Sequence, residues 1–168
     1  RNFTFCDSLE ELYIVLTNKL GSRGLAAANS ILTRCNKLSS LRWAVKEAPP
    51  DAVLPWFGLA EMAAKQSGGS RVGSHLIHLV MDGGSISVDE LGERGLCGAL
   101  PYCTRLRSLK LRSIGIKDEG IDLMVSAFLQ SKPSLEVLDL SSNLIQTSGA
   151  LTISKLSTLN SIAMNLST

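Results

Sequence analysis

The sequence predicts an α/β solenoid, in which repeated strand–helix units build a curved parallel sheet on the concave side and place helices on the convex side. The first observation is a repeat: Leu106, Leu109, Leu111, Ile116 and Gly120 have counterparts 29 positions later in Leu135, Leu138, Leu140, Ile145 and Gly149. One offset shared by five landmarks indicates an array of units rather than an isolated motif. The second observation is a helical spacing of apolar residues behind the glycines, which adds a helix to each strand.

The strand of each unit is predicted from leucines at places 1, 4 and 6, which point their side chains toward one core. Starts lie near residues 9, 38, 76, 106, 135 and 159. The four further strands are marked by Leu9, Leu12 and Ile14, by Leu38, Leu41 and Trp43, by Leu76, Leu79 and Met81, and by Leu159, Ile162 and Met164. We therefore predict a single domain over residues 1–168 with five to six units. We also expect it to be a fragment of a longer protein, because the chain lacks an initiator methionine.

The helix of each unit is predicted from apolar residues one, four, five and eight places behind its glycine. Behind Gly120 these residues are Ile121, Met124, Val125 and Phe128. In matching places Leu25, Ala28 and Leu32 follow Gly24, and Leu59, Met62 and Ala63 follow Gly58. We expect each glycine to let the chain pass close to the neighbouring unit where the helix begins.

The second unit is longer than the others, and its surplus is predicted to form two insertion loops. Residues 46–56 contain Pro49, Pro50 and Pro55, which exclude a regular helix or strand there. Residues 67–74, SGGSRVGS, have the composition of a flexible connection. Both segments are interpreted as surface loops, although the proline-rich segment could also be an ordered loop that docks on a partner.

Composition narrows the classes of function. A hydrophobic content of 45% argues against disorder, and a formal net charge of +2 gives no strong attraction to nucleic acid or an anionic membrane. Apolar stretches are too short for a membrane span. The four cysteines, Cys6, Cys35, Cys97 and Cys103, lack metal-type spacing. We interpret them as reduced, structural residues of an intracellular protein.

Catalytic and cofactor motifs do not emerge from the sequence. It has no nucleophile elbow, no phosphate loop with a following Lys-Ser or Lys-Thr, and no pair of zinc-binding histidines. Gly68-Gly69-Ser70 and Gly83-Gly84-Ser85 are interpreted as turns. His75 and His78 have no cysteine or carboxylate at ligand spacing. We predict no enzyme activity, no cofactor and no metal site.

The pattern LxxLxLxxNxI, followed by a glycine-led helix, resembles the leucine-rich repeat of the ribonuclease-inhibitor type. The segment LEVLDLSSNLIQTSG, residues 135–149, is a close match to that repeat. Asn143 occupies the conserved turn position of the repeat, whereas Ile114 and Gly84 replace it in the two preceding units. This departure argues against a buried asparagine ladder at those two turns.

The resemblance implies protein recognition, by an adaptor or a structural subunit of a larger assembly. It leaves open a sensor or regulatory domain of a larger enzyme or receptor, or a GTPase-activating protein of the leucine-rich repeat class. The expected partner is another protein or a multi-subunit complex, with no direct nucleic-acid binding and no membrane insertion.

The candidate binding residues lie between the leucines, because alternate strand side chains point to the concave surface. They are Tyr13, Arg42, His78, Arg107, Lys110, Arg112 and Asp139. One hypothesis makes Arg107, Lys110 and Arg112 a basic hot spot for an acidic partner, with Arg105 nearby. The alternative is a charge ladder between neighbouring strands. The ladder would pair Arg107 with Glu136, Lys110 with Asp139 and Arg112 with Asp82.

Overall fold

A computed structural model describes residues 8–17, 22–32, 34–35, 37–45, 75–93, 95–158 and 163–166. The described chain contains six strands and five α-helices. The strands are β1 (Glu11–Leu16), β2 (Ser40–Val45), β3 (His78–Asp82), β4 (Ser108–Arg112), β5 (Val137–Asp139) and β6 (Ala163–Asn165). The α-helices are α1 (Ser22–Leu32), α2 (Val88–Leu91), α3 (Leu96–Ala99), α4 (Asp118–Ser131) and α5 (Thr147–Ser154), with 3-10 turns at Leu100–Tyr102 and Lys155–Thr158.

The strands form one parallel sheet in the order of the sequence, from β1 to β6. Its register aligns the fourth place of the first five units, so Leu12, Leu41, Leu79, Leu109 and Leu138 form one row across the sheet. Met164, predicted at the sixth place of the last unit, extends this row instead of Ile162, so the last strand is shifted by two residues from the predicted alignment. A strand followed by a helix and a parallel neighbouring strand is the expected consequence of a strand–helix repeat. The predicted solenoid order is confirmed.

The core lies between this leucine row and the helices. Leu41, Leu79 and Leu109 are fully buried in the sheet. On the facing helix α4, all four residues predicted from the spacing behind Gly120 are buried, and Ala28 and Leu32 are buried on α1. A single unit could not cover both its strand and its helix, so neighbouring units share one continuous core.

Close contact between units explains the glycines near the helix starts. A Cβ atom added at Gly120 would lie 2.6 Å from Cδ1 of Leu91 in the preceding unit. One added at Gly149 would collide with the carboxylate of Asp118, again in the preceding unit. The prediction of a close passage between neighbouring units is confirmed at both places.

Several sequence predictions lie outside the described residues. They are the insertion loops 46–56 and 67–74, the helix behind Gly58, and the first two apolar positions of the last strand, Leu159 and Ile162. The remainder of the last strand is described as β6, which pairs with β5.

Candidate protein-binding surface

The concave face consists of the sheet side chains that point away from the helices. Four of the seven predicted binding residues are exposed on it: Tyr13, Arg42, His78 and Arg107. Lys110 and Arg112 are half-buried, whereas Asp139 is only 4% exposed. Ala44 and Ser108, which the alternation also assigned to this face, are buried. Both have short side chains and lie within a row of longer ones, so the alternation alone overstated the accessible surface.

An aromatic–cation pair occupies the amino-terminal side of the concave face. Register places Tyr13 of β1 beside Arg42 of β2, and the Arg42 guanidinium lies 4.8 Å from the centroid of the Tyr13 ring. Tyr13 is 54% exposed. The Tyr13 ring contacts the guanidinium group, and this contact does not use the guanidinium N–H groups as hydrogen-bond donors. Arg42 is therefore oriented by a neighbour that does not neutralise its charge.

A diagonal ion pair connects β4 and β5. Nε of Arg112 donates a hydrogen bond to Oδ2 of Asp139 at 2.6 Å, and a terminal nitrogen of the same guanidinium lies 2.6 Å from that oxygen as an ion pair. Oδ1 of Asp139 accepts a hydrogen bond from the backbone N–H of Ser141 at 3.1 Å. Burial by itself would raise the pKa of Asp139, but the hydrogen bonds from Arg112 and Ser141 outweigh it and lower the pKa below its ordinary value.

This pair corrects two of the predicted charge-ladder contacts. Lys110 is in register with Asp139, and Arg112 with Asp82, as expected from the repeat. The carboxylate of Asp139 nevertheless bonds to Arg112 rather than to Lys110. The Ser141 N–H fixes that carboxylate toward the end of the strand, where the planar guanidinium of Arg112 can reach it with two N–H groups.

The third predicted ladder contact is confirmed. Arg107 donates a hydrogen bond to Oε1 of Glu136 one unit away, and both side chains are more than half exposed. Such an exposed pair contributes little to stability, at most about 1 kcal/mol. It does neutralise Arg107 locally, so the basic hot spot predicted around Arg107, Lys110 and Arg112 loses two of its three charges to neighbouring carboxylates.

Two cations at the centre of the concave face are not paired with a described carboxylate. Arg42 and Lys110 make no ion pair or side-chain hydrogen bond with the rest of the described chain. Register places both beside Val80 of β3, one on each side. His78 lies two residues before Val80 on the same strand and is exposed. This group of Arg42, His78, Val80 and Lys110 is called the central cluster below.

Asn143 fixes the turn that follows β5. Its side-chain Oδ1 accepts hydrogen bonds from the backbone N–H groups of Ile114 at 3.2 Å and Ile116 at 3.1 Å. Its Nδ2 donates to the carbonyl oxygens of Leu111 at 2.6 Å and Leu140 at 2.8 Å. One amide therefore satisfies backbone groups of two consecutive units. Ile114, which occupies the same position one unit earlier, is fully buried and offers no such side chain.

A second connection between units lies at the start of α5. The carboxylate of Asp118 accepts hydrogen bonds from the hydroxyl of Ser148 and, at 2.7 Å, from the backbone N–H of Gln146. The Ser148 hydroxyl is the main reason that the pKa of Asp118 is lowered, and the Gln146 N–H adds to it. The preceding unit thus caps the helix of the next one.

The described residues offer little to metal or thiol chemistry. In the ranges given above, no group of three or more His, Cys, Asp or Glu side chains could hold a metal ion. Burial raises the pKa of the Cys97 thiol to about 12, which keeps it protonated and weakly nucleophilic. None of the helices in the described ranges has the length and apolarity that a membrane crossing requires.

A groove of about 540 Å³ follows the turns between strands and helices, and the sequence analysis missed it. Val88 and Leu144 line this groove and are 49% and 59% exposed. Lys117 and Glu119 add one charge of each sign. The sequence did contain a signal for this groove. Val88 and Leu144 are large apolar residues that lie outside the repeat template and have mostly polar neighbours in the sequence.

Comparison with known families agrees with this geometry. Residues 131–154 match a family model described as Leucine Rich repeat. A search of curated proteins gives no match. The match covers β5, its turn and all of α5, which is the segment that contains Asn143 and Gly149. Together with the parallel six-stranded sheet, it supports a leucine-rich repeat protein with an α/β solenoid fold and, in general, a protein-interaction module.

Proposed function

We propose that this chain is a non-catalytic protein–protein interaction module that serves as an adaptor or a structural subunit of a larger assembly. Its partner is another protein or a multi-subunit complex, bound on the concave face. The observation that carries this proposal is the contrast between the two sides of one sheet. On β2 to β5 the leucine side is buried, whereas the other side of the sheet presents Tyr13, Arg42 and His78 to solvent.

The chemistry of the exposed side supports this assignment. Tyrosine and arginine are the residues that dominate binding energy at protein interfaces, because each offers a large contact area together with hydrogen-bond donors. Tyr13 and Arg42 are already stacked on each other, so less side-chain freedom is lost when a partner binds. Nothing in this arrangement requires a cofactor.

Two finer assignments accompany the proposal. The spacing of 29 and 30 residues between Leu79, Leu109 and Leu138, together with Asn143, supports repeats of the ribonuclease-inhibitor type. Cys35, Cys97 and Cys103 are thiols, and two of them are buried in the core. This supports an intracellular location, since disulfides are the usual state of cysteines in oxidising compartments.

The test is affinity purification of the tagged protein from cells, with quantitative mass spectrometry, for the wild type and two single variants. Tyr13→Ala truncates an exposed side chain on the concave face. Leu151→Ala is the matched control, because Leu151 is 66% exposed on α5. We expect the wild type to recover a stoichiometric partner. Recovery of this partner should fall about tenfold or more with Tyr13→Ala and stay unchanged with Leu151→Ala. If the partner is lost with Leu151→Ala but kept with Tyr13→Ala, the binding surface lies on the helices and the proposal is contradicted.

A further inference from the structure

We infer that the central cluster binds a helical segment of an acidic partner, through two carboxylates about 10 Å apart with an apolar residue between them. This inference rests on the proposed function and specifies the chemistry of the partner. It also relocates the basic site that the sequence suggested, from β4 alone to the row that joins β2, β3 and β4.

The first argument is electrostatic. Among the cations of the concave face, Arg107 is neutralised by Glu136, and Arg112 by the buried Asp139. Arg42 and Lys110 are left with donors that no described residue occupies. An unpaired cation on a binding surface favours a partner that supplies the missing carboxylate, because the pair then forms without breaking an existing one.

The second argument is the spacing. Arg42, Val80 and Lys110 are aligned in one row on three adjacent strands. Neighbouring strands lie about 4.8 Å apart, so the Cα atoms of Arg42 and Lys110 lie about 10 Å apart, with an apolar side chain between these two positions. A helix rises about 1.5 Å per residue, so residues seven apart lie about 10.5 Å from each other on one face. A residue three or four positions along the same face would then contact Val80.

The third argument concerns the two groups that flank Val80 along β3. Asp82 lies on one side and would repel a carboxylate, whereas His78 lies on the other side and offers an imidazole N–H as a hydrogen-bond donor. Register places Ser40 and Ser108, which have no charge to compete for a carboxylate, beside His78. The partner's carboxylates are therefore expected on the His78 side of Arg42 and Lys110.

Other charges around the cluster do not remove this preference. Glu10 and Glu11 belong to the β1 edge, two strands from Val80, and Glu11 is in register with Ser40 rather than with Arg42. Asp139 is adjacent to Lys110 but is already bonded to Arg112 and Ser141. Acidic groups therefore lie on both sides of the cluster. Their repulsion would help to fix the position of an acidic segment between them.

The probe for this inference is a set of fluorescein-labelled helical peptides in an alanine–glutamine host, measured by fluorescence anisotropy with the purified 168-residue chain. One peptide has two glutamates seven positions apart with a leucine midway between them. An isomer has the same composition with adjacent glutamates, and a third peptide has glutamines in place of the glutamates. We expect the first peptide to bind about fivefold tighter than either of the others.

Point variants locate the contact on the surface. Arg42→Gln and Lys110→Gln should each weaken binding of the first peptide about threefold to fivefold. Arg107→Gln is the matched control, because that arginine is exposed but already paired, and it should leave binding unchanged. Asp82→Asn should tighten binding. Equal affinities for the two glutamate isomers, or an equal loss with Arg107→Gln, would overturn the inference.

The same variants separate this inference from the proposed function. If Tyr13→Ala releases the cellular partner while Arg42→Gln and Lys110→Gln both retain it, the acidic-helix inference fails and the interaction module stands. If the wild type recovers no stoichiometric partner, the proposed function fails. Circular dichroism spectra that match the wild type exclude misfolding as the cause of any loss.

Discussion

The third and fifth units place opposite chemistry in the turn that follows the strand. After β3 the turn uses Gly83 and Gly84, both with positive φ, and a Cβ atom added at Gly83 would lie 2.5 Å from the carbonyl oxygen of Val45. After β5 the turn uses Ser142 and Asn143, and the Asn143 amide bonds to backbone groups of two units. One turn therefore depends on the absence of a side chain, and the other depends on the hydrogen bonds of an added side chain.

This difference extends to the sheet itself. The fourth and fifth units are tied together by side chains, through Asn143, through Asp118 and through the Arg112–Asp139 pair. Among the described residues of the second and third units, the backbones approach closely at Gly83 and Val45. The polar side chains of the fourth and fifth units therefore contribute to stability, whereas Arg42 on β2 makes no ion pair with any described residue. The predictions below test this division.

The largest effect is expected for Asn143→Ala, which removes the side-chain bonds of the fifth turn. Two backbone N–H groups and the Leu111 carbonyl would be left unsatisfied in a partly buried place, so we expect a loss of roughly 3 kcal/mol in the free energy of unfolding. Urea denaturation followed by circular dichroism measures it. Gln146→Ala is the control, since only its backbone N–H is used, and it should change stability by less than about 0.5 kcal/mol.

A slightly smaller loss is expected for Gly83→Ala in the third turn. The new Cβ atom meets backbone rather than a movable side chain, and φ is +80° there, so we expect a loss of about 2 kcal/mol. The same urea measurement applies. Gly115→Ala is the comparison, because its φ is also positive while its Cβ would meet open space. Equal losses for the two variants would show that conformation alone, and not the approach to Val45, requires glycine at position 83.

The Arg112–Asp139 pair predicts a pH-dependent stability. We expect Asp139→Asn to lower the free energy of unfolding by about 1.5 kcal/mol at pH 7, because it removes a charged hydrogen-bond acceptor. The folded pKa of Asp139 is lowered, so its contribution is complete above the unfolded value of about 3.9 and is lost as pH falls through the folded value. Unfolding curves of wild type and variant should therefore converge at acidic pH. A constant difference from pH 7 to pH 2 would contradict this assignment.

The smallest effect is expected for Ser113→Gly in the fourth turn. Ser113 has φ of 53° and occupies the position that Gly83 has in the preceding unit. Glycine relieves the left-handed conformation but costs entropy in the unfolded chain, so we expect a net gain of about 0.5 kcal/mol. Thermal unfolding should show a slightly higher Tm. A lower Tm would show that the serine side chain stabilises this turn.

Most of the fold could be predicted from the sequence because each element has a local pattern. Leucines at places 1, 4 and 6 mark strands, the spacing behind Gly120 marks a helix, and the recurrence near 29 residues fixes the order of the strands. The candidate site was predicted only in outline. Tyr13, Arg42 and His78 were placed on the exposed face by alternation alone, whereas the burial of Asp139 was not predicted.

The sequence by itself determined the solenoid, its parallel sheet and the side of each strand that faces the core, because these follow from periodicities within a unit and between units. Only the tertiary structure decided which charges on the concave face are paired. That outcome depends on the reach of Arg112, on the Ser141 N–H that orients Asp139, and on packing between strands separated by nearly thirty residues. Register brings Lys110 beside Asp139, but side-chain geometry gives the carboxylate to Arg112 and leaves Lys110 available to a partner.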